Sequence, residues 1–149
     1  MKNKFRGKIL GACSGKHELD WAYGNLIEEL ETGRRFICDL AHFNDKTLLK
    51  DVIVEVFPLT VGQYLEQHDC NKKDMYHGDI VEINTYSRDE PENSFIGVIT
   101  DYGVVPWFEG KDCCGDEVGC LLHEIQGEYR TIMEVVGNKY DNPELLEDK

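Results

Sequence analysis

Four potential metal ligands lie within eleven residues of one another: Cys113, Cys114, Cys120 and His123, in a stretch that also holds Gly110, Gly115 and Gly119. Thiolates and imidazoles are the donors that tetrahedral zinc takes. The spacing argues against such a centre, because adjacent cysteines do not clasp a metal as a C-x2-C pair does, and the chain contains no C-x2-C pair. These residues read as unpaired loop thiols, and no metal or cofactor is expected. Gly11-Ala12-Cys13-Ser14-Gly15-Lys16 glances at a phosphate loop. Only three residues separate its glycines where four are needed, and His17 stands where a Ser or Thr would hold Mg2+. Nothing among six cysteines and five histidines selects a nucleophile and its base, so no catalytic residue is assigned. The acidic clusters Asp89-Glu90-Pro91-Glu92 and Asp112/Asp116-Glu117 lack the spacing and central glycine of a calcium loop and read as solvated faces. His68 and Asp69 read as turn residues and His77 as an exposed loop residue. Trp107, beside Phe108, is either an interface anchor at a hairpin end or a core residue.

The elements that must carry these groups are short strands. Trp21–Leu30 leads to a turn at Glu31-Thr32-Gly33, and Phe36, Cys38 and Leu40 then alternate with Ile37 and Asp39. Val52–Phe57 is a β-branched run that Pro58 ends by removing a backbone donor. Ile80–Tyr86 is a strand, Ser87–Ser94 a charged loop, and Phe95–Thr100 pairs with Val104–Phe108 across Asp101-Tyr102-Gly103. Thr131–Val136 is a last strand, and Asn142–Asp148 a short terminal helix with Pro143 in its first turn. About seven short strands separated by turns predict an all-β barrel or small sandwich.

A chain of 149 residues, 41% hydrophobic and 30% charged, suits one domain, 1–149, or two small β subdomains at 1–57 and 58–149. No apolar run approaches a membrane span. The net charge of −13 opposes non-specific nucleic-acid binding. That charge is uneven. Residues 1–16 carry Lys2, Lys4, Arg6, Lys8 and Lys16 and no acid, so this tip is +5 and the remaining 133 residues total −18. A basic tip on an acidic body pairs with its own surface, a neighbouring subunit or an anionic partner. Arg6, Gly7 and Lys8 interrupt the place where a signal peptide needs its apolar core, so the expected compartment is the cytoplasm, with thiols mainly reduced.

Two segments are more informative than pattern. Thr60-Val61-Gly62-Gln63-Tyr64 precedes Asp69-Cys70-Asn71-Lys72-Lys73 and Tyr76-His77-Gly78-Asp79-Ile80-Val81, and the chain closes with Gly137-Asn138-Lys139-Tyr140-Asp141-Asn142-Pro143-Glu144-Leu145-Leu146. In this order they resemble the YopX family, encoded by bacterial phages and prophages. That family typically shows T-V-G-Q-Y, an N-G-K turn, Y-E-G-D-I-V and a closing G-N-I-Y-E-N-P-E-L-L. The opening Lys4-Phe5-Arg6-Gly7-Lys8 and Trp21-Ala22-Tyr23-Gly24-Asn25-Leu26 look similar too, so the resemblance runs from Lys4 to Glu147. Two glycines of the pattern are missing: Lys72 replaces that of N-G-K, and Leu65-Glu66-Gln67 replaces a T-G-L. Both departures put the local hairpin in question.

The motif residues Tyr76, Gly78, Asp79, Ile80, Val81, Gly137, Asn138, Tyr140, Asn142, Pro143, Glu144 and Leu145 have structural readings. Gly78 permits a sharp turn, Asp79 bonds nearby N–H groups, Met75 and Tyr76 face the core, and Asn142 or Asp141 caps the terminal helix. The resemblance implies a small barrel-like fold and no activity, cofactor or metal site. The resulting expectation is a phage accessory protein that binds or assembles without catalysis, partnered by further copies of itself or by a host or phage protein. Alternatives are a nucleic-acid-binding small barrel and, less favoured, a metal-dependent enzyme at the Cys/His loop.

Overall fold

The computed structural model describes residues 4–11, 20–40, 44, 46, 52–88, 90–102, 105–127 and 130–147. The chain divides into two compact units, Met1–Tyr64 and Leu65–Lys149. The first contains β1 (Phe5–Lys8), β2 (Trp21–Glu28), β3 (Arg35–Cys38), β4 (Ile53–Val56) and the start of β5 (Gly62–His68), in the antiparallel order β4-β3-β2-β1-β5. Trp21, Ile37, Cys38, Val52, Val56 and Tyr64 are buried in this unit. An isolated bridge between Ile9 and Val56 ties the end of β1 towards the edge strand β4, supported by the Leu10 N–H donating to the Glu55 carbonyl at 2.9 Å. One bridge does not make a ladder, and the sheet stays open.

The second unit holds the rest of β5, β6 (Asp74–Tyr76) and a five-stranded antiparallel sheet. Its strands are β7 (Asp79–Ser87), β8 (Glu90–Tyr102), β9 (Val105–Asp112), β10 (Glu117–Leu121) and β11 (Arg130–Asn138), in the order β10-β9-β8-β7-β11. Alternation splits this sheet into two faces. Val81, Ile83, Ile99, Phe108, Met133 and Val135 point to one side, where Met75 and Leu122 complete the core. Each such side chain contributes about 1.5–3 kcal/mol relative to exposure.

The all-β class holds, but the sheets are open and do not close into a barrel. In the second unit a helix, α1 (Leu122–Gly127), follows β10 and places Leu122 in the core, with Ile125 packed against it. Sequence reading placed no helix there. The expected Ser87–Ser94 loop is also corrected: β8 begins at Glu90, and Pro91 pairs with Tyr86 where the register shifts between Thr85 and Tyr86. Proline is tolerated at that position because β9 reaches only as far as Phe95, so this end of β8 is an edge. The terminal helix is a single 3-10 turn, Pro143–Leu146. Gly103 and Val104, in the expected β8–β9 turn, lie outside the described residues, as do Asp89 and residues 12–19 with Cys13, Lys16 and His17.

Candidate functional site

The sheet face opposite the core carries a cleft of about 690 Å3. Its floor comes from alternate residues of three strands, brought level by the register. Ile96 opposes Lys111 and Val98 opposes Glu109 across β8–β9, while Glu117 opposes Lys111 and Gly119 opposes Glu109 across β9–β10. Half-buried Trp107 belongs to the same face, and its ring lies over Gly119, where an added Cβ would meet the indole Cζ2 at 3.2 Å. Leu145, Leu146 and Glu147 form the wall. Among the described residues the cleft is apolar at Ile96, Val98, Trp107, Leu145 and Leu146, and holds three carboxylates, Glu109, Glu117 and Glu147, against one ammonium group, Lys111.

The closing motif builds that wall. The Asn138 side-chain oxygen accepts the N–H groups of Tyr140 and Asp141 at 3.0 Å each, and its amide donates to Asp141 at 3.2 Å. The Asn142 N–H donates to the Asn138 carbonyl at 2.9 Å, and the Asn142 side-chain oxygen accepts the Asn138 N–H at 3.3 Å. Asn142 thus occupies the cap position of the 3-10 turn without its side chain capping it, a correction to the expected helix cap. Gly137 is where this side chain needs space, since a Cβ there would lie 2.7 Å from Asn142 Oδ1. Pro143 and Glu144 are exposed at the start of the turn, and Leu145 and Leu146 lean half-buried toward β8. Tyr140 is half-buried, with the Lys139 ammonium 5.1 Å from its ring centre.

The other motif anchors the sheet. Asp79 is 1% exposed and accepts the Tyr76 N–H at 2.8 Å. Gly78 has φ +90° and its N–H donates to the Ile99 carbonyl at 2.7 Å, tying the turn to β8. Tyr76, Ile80 and Val81 are buried. His77 is half-buried with its Nε2 shielded from solvent, not the exposed residue expected.

Asp69 was underestimated by sequence reading. It is 7% exposed, and its carboxylate accepts N–H groups from Asn71 at 2.8 Å, Lys73 at 2.9 Å and Val135 at 3.0 Å. Burial disfavours its charge and is the largest single influence. The bonds from Val135, Lys73 and Asn71, with the Lys73 charge, together outweigh burial and hold the carboxyl below its ordinary value. The only signal in the sequence was an Asp at the start of a turn. His68 pairs with Asp74 at 2.9 Å across β5–β6.

The cysteine cluster is dispersed. Cys113 and Cys114 sit exposed in the β9–β10 turn, Cys120 is half-buried on the core side of β10, and His123 is exposed on α1. Among the described residues no three His, Cys, Asp or Glu side chains form a group able to hold a metal. The Cys114 thiol is pushed up, chiefly by its hydrogen bond and proximity to Cys113 and then by Asp112. Burial and then Glu124 push Cys120 up. Neither shift favours a thiolate nucleophile. Asp112, read from the sequence as part of a solvated acidic face, uses one oxygen to accept the Cys114 and Asp116 N–H groups at 2.9 Å each.

In the first unit the basic tip is also altered. Arg6 is 5% exposed, with its guanidinium 4.9 Å above the Trp21 ring, so it adds little to a surface contact. Lys2 and Lys16 lie outside the described residues. No helix among the described residues is long and apolar enough to cross a membrane.

The site and fold together describe an antiparallel two-sheet protein with a surface cleft walled by its own C-terminal turn. Residues 17–147 match the model of the YopX protein family, and the chain belongs to that family. No curated protein and no solved structure matches the chain.

Proposed function

We propose that this YopX-family chain is a phage- or prophage-encoded accessory protein that acts in the bacterial cytoplasm by binding and assembly, not by catalysis. Its partners are further copies of itself and a host or phage protein. The observation that carries this reading is the Trp107 cleft, an apolar, acid-rimmed concavity of the kind that holds another chain's side chains. The family motifs support it: Asp79, Asn138 and Asn142 use their side chains to bond backbone groups, which suits a scaffold better than a reaction centre. The charge difference between residues 1–16 and the acidic remainder supports self-association. Light scattering behind size exclusion tests that arm. The expected mass is a multiple of 17.1 kDa at about 0.05 M salt, falling toward the protomer at about 0.5 M. A 17.1 kDa particle at both salt concentrations refutes self-assembly.

A further inference from the structure

The two edges of the five-stranded sheet are treated differently. The edge at β11 is covered: the Cys70 N–H donates to the Met133 carbonyl at 2.8 Å, and the Val135 N–H is held by Asp69. A sheet edge with its backbone groups so occupied cannot accept another strand. At β10 the Leu121 N–H is taken by the Glu124 carboxylate at 3.1 Å, which shows that this group points away from β9. By alternation the N–H and C=O of Gly119 and Glu117 point the same way. Among the described residues no strand pairs beyond β10. The Trp107 ring lies directly over Gly119 of this edge strand, so the edge and the cleft form one continuous surface.

We propose that this surface binds an extended cationic peptide segment of a different protein by strand addition to β10, because this chain's own basic strand, Phe5–Lys8, is already paired with β2 on one side and β5 on the other. The inference rests on the binding reading above and names the chemistry of its partner. The peptide main chain pairs with Glu117 and Gly119. One of its apolar side chains packs on the Trp107 ring, which lies over Gly119, as side chains of an added strand fill pockets at alternate positions. A Lys or Arg two residues away, on the same face of the added strand, reaches Glu117 and Glu109, on a cleft face whose described carboxylates, Glu109, Glu117 and Glu147, outnumber its one described ammonium group, Lys111. An acidic or neutral segment meets uncompensated negative charge in the same place.

The probe is a blocked hexapeptide with threonine at every second position and lysine, valine and lysine in turn between them, so that valine and lysine share one face, with its glutamate-for-lysine counterpart as control, titrated against the full chain. Amide hydrogen exchange is read residue by residue, alongside tryptophan fluorescence. The expected result is protection of the Glu117 and Gly119 amides by the lysine peptide alone. Its affinity should fall about tenfold in the double variant Glu109→Gln/Glu117→Gln, whose exposed side chains are replaceable without loss of fold. Equal binding of both peptides, or protection confined to another strand, overturns the proposal. Protection of the same amides with rising protein concentration and no peptide identifies a second copy as the occupant and also overturns it. Self-association measured by light scattering is independent of the peptide titration. A chain that assembles yet ignores the peptide therefore loses only the β10 assignment.

Discussion

Asp69 links the β5–β6 turn to a strand edge 66 residues further along the chain. Its three N–H bonds are charge-assisted, and removing the carboxylate leaves the buried Val135 N–H without an acceptor and the turn without its Asn71 and Lys73 bonds. Asp69→Ala is therefore expected to destabilise the protein by about 3 kcal/mol in urea unfolding. Because the folded carboxyl is held below its unfolded value, its contribution is complete above the ordinary carboxylate pKa and is lost as the pH falls through the folded value. Wild-type stability should show that acid limb, and the variant should show a shallower one. Asp69 resembled an ordinary turn residue because composition specifies the turn, whereas its burial depends on β11 arriving from elsewhere in the chain.

At the scale of elements, one turn design appears twice. In Asp69–Lys73 and in Asp112–Asp116 the leading Asp accepts the N–H groups two and four residues on, and its own N–H donates to the carbonyl of the fifth residue. The fourth residue has positive φ in both: +64° at Lys72 and +86° at Gly115. Lys72 thus holds a backbone conformation that suits glycine, and so does Glu66 at φ +58°. These are the two positions where the chain departs from the glycines of its family pattern. The hairpin in question forms all the same, with the side chains bearing the strain. Lys72→Gly should raise stability by about 0.5–1 kcal/mol, the left-handed penalty less the added freedom of the unfolded chain. An unchanged urea midpoint would contradict that account. In the C-terminal turn the expected sign reverses: Gly137→Ala displaces Asn142, loosens the wall carrying Leu145 and Leu146, and should cost about 1–2 kcal/mol with a change in Trp107 fluorescence.

For the molecule as a whole, a net charge of −13 means self-repulsion that salt relieves. Raising ionic strength from about 0.01 M to about 0.15 M should raise Tm by several degrees, measured by differential scanning calorimetry. A flat or falling Tm would show that local ion pairs such as Arg34–Glu55, whose bonds measure 2.9 and 3.0 Å, outweigh the long-range repulsion. The all-β class was legible because β-branched alternation and turn residues are local instructions, written in Val52–Phe57 and Ile80–Tyr86 with period two. Family membership was legible because short motifs, Thr60–Tyr64, Tyr76–Val81 and Gly137–Leu146, occur in one order along the chain. Sequence by itself therefore determined the class, most strands and the lineage. Tertiary structure alone decided that Asp69 and Arg6 are buried, that the four would-be zinc ligands are dispersed, that β8 continues through Pro91, and that one sheet edge is covered while the other borders a cleft. Those outcomes depend on the register between strands far apart in the chain, and a local pattern carries no record of which distant backbone will lie beside it.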